Sequence, residues 1–135
     1  MLRFAMNDPE GNEVSLSDFA GRGNYTLIVF WATWCAPCLY LIPHYRELYA
    51  KYKSRGFEIV GVSLDNNHDA WVAGIERLNI TWRQMSDMLM WESPVVDLYA
   101  IRGIPHSVLL DREGTIIANH LRGEALDRKL AELMP

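Results

Sequence analysis

Apolar residues along this chain fall into runs whose period switches between strand and helix. Tyr25-Thr26-Leu27-Ile28-Val29-Phe30-Trp31 is β-branched, aromatic and almost continuously apolar, the pattern of a central strand buried on both faces. Phe57-Glu58-Ile59-Val60-Gly61-Val62-Ser63-Leu64 predicts a second such strand. Between them a helix is expected from residue 35 to about 54, closed by Gly56. Pro37 suits its first turn, and Pro43 is expected to kink it. Residues 67–78 predict a helix with Trp71, Ile75 and Leu78 on one face. Ser93-Pro94 reads as a cap and helix start, running to about residue 100. Residues 107–111 and 115–118, joined at Arg112-Glu113-Gly114, predict a hairpin. Residues 123–134 predict a last helix with Leu126, Leu130 and Leu133 inward. At the other end, residues 2–6 read as an edge strand. It returns along Glu13-Val14-Ser15 through the turn-rich stretch Asn7-Asp8-Pro9-Glu10-Gly11-Asn12. One helical turn over 15–19 follows, while residues 80–92 read as irregular.

This order predicts an α/β sandwich whose sheet mixes parallel and antiparallel pairs. A chain of 135 residues is long enough for one compact domain and short for two, so residues 1–135 are read as a single domain. Residues 25–45 carry no Asp, Glu, Lys or Arg, but Pro37, Pro43 and two cysteines interrupt them. They read as a strand and a buried helix start rather than a membrane span. No secretory leader is visible, because the stretch from Met1 to Met6 turns polar too soon. The net charge of −4, with ten Arg and three Lys scattered, argues against nucleic acid or an anionic membrane surface as the main partner.

Cys35 and Cys38 are the only cysteines, two residues apart at the junction of the first long strand and its helix. Two thiols there suit a reversible disulfide, because the unpaired N–H groups and dipole of a helix start favour a thiolate. A structural disulfide is the rival reading, though so short a loop constrains little. Half a zinc site is another, but it needs two more ligands, and His44, His68, His106 and His120 are dispersed along the sequence. Trp71, Trp82 and Trp91 read as core or loop anchors.

Four stretches together resemble the thioredoxin superfamily, and within it the TlpA/ResA-like, AhpC/TSA-related thiol–disulfide oxidoreductases. They are Phe30-Trp31-Ala32-Thr33-Trp34-Cys35-Ala36-Pro37-Cys38; Pro43, eight residues past the first cysteine; Val60-Gly61-Val62-Ser63-Leu64-Asp65 with the helix that follows; and Gly103-Ile104-Pro105-His106 leading into the hairpin. The resemblance implies a thioredoxin-like three-layer α/β/α sandwich, with a mixed sheet, an N-terminal β-hairpin and a TlpA-type inserted helix. It also implies a dithiol–disulfide cycle in which Cys35 attacks and Cys38 resolves, with no cofactor beyond that disulfide and no metal. Pro105 would follow a cis bond, and Ile104 would pair its backbone with a substrate strand. Trp34 would shield the pair and offer an apolar contact. Ala36 and Pro37 would tune the potential. His106 reads as a polar rim residue, with tuning of the thiolate as a second role.

The implied substrates are disulfides of exported proteins, reduced or isomerised in an extracytoplasmic compartment, with a membrane-linked thiol donor restoring the dithiol. Oligomeric state is not implied, and the chain could belong to a longer exported protein. The alternatives are an accessory peptide-binding module with weak turnover and a thiol peroxidase. Ala32 argues against the peroxidase, since it stands where a peroxide-binding Thr is expected. Two departures mark the chain within the family. Thioredoxins carry a buried Asp at the position of Val29, and ResA-like proteins a Glu at that of Leu41.

Overall fold

The computed structural model describes residues 2–135. Seven strands form one mixed sheet in the order β2-β1-β5-β4-β3-β6-β7. They are β1 (Ala5–Asn7), β2 (Glu13–Ser15), β3 (Tyr25–Trp31), β4 (Phe57–Ser63), β5 (Arg83–Ser86), β6 (His106–Leu110) and β7 (Ile116–Asn119). The helices are α1 (Ala36–Tyr52), α2 (His68–Arg77), α3 (Pro94–Leu98) and α4 (Gly123–Leu133). β3, β4 and β5 run parallel; β6 pairs antiparallel with β3 and with β7, and β1 antiparallel with β2 and with β5.

Alternation along β3 divides the core. Leu27, Val29 and Trp31 point to a layer built with Ile42, Tyr45 and Leu48 of α1, Trp71 of α2, and Leu126 and Leu130 of α4. Ile28 and Phe30 point to the opposite layer, with Val60, Val62, Met85 and, from the α3 region, Val95 and Tyr99. Burial on both sides explains why β3 reads as a continuous apolar run. This is the three-layer sandwich with a mixed sheet, N-terminal hairpin and inserted helix that the sequence implies.

The structure corrects the expectation for residues 80–92, where β5 adds a strand in register with β4 (Gly61 beside Gln84, Ser63 beside Ser86). The polarity that hides β5 in the sequence is met internally in part, with Gln84 Nε2 left buried and unpartnered. Trp31 Nε1 donates to Gln84 Oε1 at 3.0 Å, and Ser86 Oγ donates to the Ser63 carbonyl at 2.8 Å. The N-terminal strand lies at Ala5–Asn7 rather than 2–6, and α3 stops at Leu98 rather than near residue 100. α1 continues through Pro43, and Gly56 closes the segment in the left-handed region at φ 87°.

Gly61 is what lets Gln84 reach across. A Cβ placed on it would stand 2.2 Å from Gln84 Nε2. Gly61→Ala is therefore expected to push Gln84 off Trp31 and cost about 1–3 kcal/mol, as overpacking in a filled core does. The check is a lower urea midpoint with an unchanged slope.

Candidate functional site

β3 ends at Trp31, and four residues later α1 begins with Cys35 as its N-cap. Cys35 takes an extended backbone (φ −97°, ψ 100°), and its Sγ accepts the Cys38 backbone N–H at 3.2 Å. A sulfur thus stands where Ser or Asp commonly caps a helix, and the same donor stabilises negative charge on it once the disulfide opens. Pro37 fits because the first turn needs no N–H from it. Cys35 and Cys38 form a disulfide, so this is the oxidised state. Both sulfur-bearing residues are buried, Cys35 at 5% exposure and Cys38 at 1%. Trp34, Ala36 and Pro37 around them are exposed.

The Ile104–Pro105 bond is cis. The Ile104 carbonyl oxygen lies 3.6 Å from Cys35 Sγ, so residues far apart in sequence meet at the sulfur. His106 begins β6, with its ring packed near Phe30 (centroids 5.9 Å) and His120 (5.2 Å). Burial, then the neighbouring His120, pushes its imidazole below the ordinary range. The four histidines are dispersed in sequence, yet the fold brings these two together. No group of three or more metal-ligating side chains occurs among the described residues.

Two features escape the sequence reading. The first is Asp65, 2% exposed just past β4 and the only buried acidic or basic side chain among the described residues. Its carboxyl accepts the Thr33 backbone N–H at 3.1 Å, the Thr33 hydroxyl at 2.5 Å and the Ser63 hydroxyl at 2.5 Å. Thr33 stands two residues before Cys35, so this buried carboxyl fixes the loop that presents the sulfur. α2 presses on the same loop, since a Cβ on Gly74 would stand 2.4 Å from Thr33 Cγ2. The second is Trp91. Of the core and loop readings, the core one fails: Trp91 is 43% exposed in the turn over residues 90–92, and its ring lies 6.3 Å from that of Trp34, itself 46% exposed. Val29 and Leu41, the two positions where the resemblance implies carboxylates, are apolar. Val29 is buried, and Leu41 packs partly against the same core.

The AhpC/TSA family model matches residues 1–119. The chain belongs to the AhpC/TSA family. It is 30% identical over 131 residues to thiol-disulfide oxidoreductase ResA of Bacillus thuringiensis subsp. konkukian, covering 97% of this chain and 72% of that protein. A thiol-disulfide oxidoreductase from Bacteroides fragilis superposes with a TM-score of 0.90 at 34% identity, covering 97% of this chain and 96% of that one. The thioredoxin domain of a thiol-disulfide oxidoreductase from Bacteroides vulgatus gives 0.89 at 34% identity, covering 98% and 94%. With its Cys-x-x-Cys disulfide, this chain is a ResA-like thiol–disulfide oxidoreductase of thioredoxin-like fold.

Two outcomes follow from this geometry. Asp65→Ala strands the Thr33 and Ser63 donors, which is expected to cost about 1–3 kcal/mol. It also frees the loop, so attack by reduced Cys35 on a peptide disulfide slows, while Asp65→Asn retains most of both; urea unfolding and stopped-flow exchange read the two effects. His106 has a lowered folded-state pKa, so the unfolded chain binds more protons as pH falls below about 6.5. Stability from this site is present above that value and is lost on acidification toward the lowered pKa. In His106→Gln the melting temperature should fall less between pH 6.5 and 5 than in the parent protein.

Proposed function

We propose that this protein reduces disulfides in exported proteins, with Cys35 as nucleophile and Cys38 as resolving thiol. The Cys35 sulfur at the N-cap of α1, beside the carbonyl that precedes cis Pro105, carries the reading. The Cys35 thiolate attacks one sulfur of a substrate disulfide. A Cys35–substrate disulfide forms, and the other substrate sulfur leaves as a thiolate and takes a proton. Cys38 then loses its proton and attacks Cys35 Sγ, releasing the second substrate sulfur and leaving the Cys35–Cys38 disulfide. Two electrons pass to the substrate, and a dithiol donor must return them.

Ile104 and Pro105 serve recognition. Pro105 offers no N–H, and the backbone of Ile104 pairs with an extended substrate segment as an added strand. Trp34, together with Trp91, gives an apolar platform for that segment. Ala36 and Pro37, exposed between the cysteines, set the potential through the first turn of α1. The site works in an extracytoplasmic compartment, and its electrons come from a membrane-linked thiol protein. The ResA-like relatives support that placement. No helix among the described residues is long and apolar enough to cross a membrane.

An insulin reduction assay tests the reading. Cys35→Ser is expected to abolish turnover. Cys38→Ser is expected to stop after one event and hold substrate in a covalent adduct, visible as a mass increase reversed by dithiothreitol. Equal turnover in the parent protein and Cys35→Ser would remove Cys35 from the reaction, and no turnover in either would favour a peptide-binding module.

A further inference from the structure

A groove opens on the far side of the Ile104–Pro105 bond, with a cavity of about 490 Å³. Its charged and titratable lining is of one kind: Arg102, His106, His120 and Arg122, with no carboxylate among the lining residues. The whole chain carries 17 acidic residues against 13 Lys and Arg, so this local excess runs against the average. Arg102, His120 and Arg122 are exposed, and neither arginine enters an ion pair among the described residues. No other arginine among the described residues forms one either; the ion pairs present are His44 with Asp127, His68 with Asp69 and Lys129 with Glu132.

The groove is also held in shape. The His120 N–H donates to the Ser107 carbonyl at 2.6 Å, and the Ser107 hydroxyl to the Leu121 carbonyl at 2.8 Å. These bonds fix the segment bearing His120 and Arg122 against β6, next to Pro105. Arg122 also lies close enough to α1 for its charge to act on the buried Tyr45 phenol. Ala100 and His120, both in the lining, have left-handed backbones at φ 52° and 61°. Non-glycine residues rarely adopt this conformation, and it concentrates at functional sites. His106 Nε2 is buried without a protein partner.

We propose that this groove selects protein disulfides with an acidic side chain within two or three residues of the attacked cysteine, which Arg102 and Arg122 bind. The inference rests on the disulfide-reductase reading above. The Ile104 carbonyl, 3.6 Å from Cys35 Sγ, fixes where the substrate strand lies, and the groove continues from that residue past Pro105. A strand paired there carries its neighbouring side chains toward the two guanidiniums. Both keep their charge at any working pH and can grip a carboxylate with two N–H groups. The field also acts before contact, raising the encounter rate of acidic segments.

The test uses the reduced full chain and matched disulfide peptides with Glu, Gln or Lys two residues from the reactive cysteine. Stopped-flow tryptophan fluorescence follows mixed-disulfide formation. The Glu peptide is expected to react about tenfold faster than the Lys peptide at low ionic strength. In 0.5 M salt the ratio should fall to about twofold. Arg102→Gln/Arg122→Gln should bring the ratio close to one. Arg128→Gln, which removes a charge from the α4 surface outside the groove, should keep it. Equal Glu and Lys rates in the parent protein, or a preference that survives in the double variant, would overturn the groove and leave the reductase reading intact. No reaction with any peptide would overturn both.

Discussion

The catalytic end depends on one buried carboxyl. β3 is fixed on both edges, by β4 and by β6, and on both faces by core. Its direction is therefore set up to Trp31, but the four residues that turn it into α1 have no sheet partner. Asp65, leaving the neighbouring strand at the same level, supplies one by holding both the backbone and the hydroxyl of Thr33. A buried polar group persists when its hydrogen bonds are met, and here the Thr33 and Ser63 donors converge on it. Helix α2, packed on Thr33 through the bare Cα of Gly74, closes the loop from the other side. The inserted helix of this branch therefore bears directly on the site.

Much of this was legible in sequence, for identifiable reasons. β3, β4, α1 and the β6–β7 hairpin announce themselves because apolar period and turn chemistry agree with their final place. The pair Cys35 and Cys38 is legible because few arrangements put two thiols at a strand–helix junction; Pro105 opposite them is legible only through the resemblance. β5 was not, because Gln84 and Ser86 are polar and their partners, Trp31 and the Ser63 carbonyl, lie on other strands. Asp65 reads in sequence as the polar end of a strand, and only the fold reveals that it points inward to Thr33. Trp91 looks like any core tryptophan until its surroundings leave it 43% exposed next to Trp34. In each case the missing information is a long-range contact of a side chain whose local signal points elsewhere.

The apolar character of Val29 and Leu41 acquires a different meaning in this setting. A buried carboxylate near the second cysteine can take its proton during resolution, and neither position offers one. Asp65 does not replace it, since its oxygens already accept from Thr33 and Ser63. Among the described residues the one buried acid thus holds the cysteine loop in place. The charged groups that line the groove at Pro105 are basic and lie outside the core. Geometry at the sulfur is fixed from within, by Asp65 and the N-cap, while the surfaces proposed to meet substrate, the Trp34–Trp91 pair and the arginine-lined groove, lie outside that network. Arg102 and Arg122 belong to neither the Asp65 network nor the N-cap, so the proposed selection can change at these two positions without disturbing how the sulfur is held.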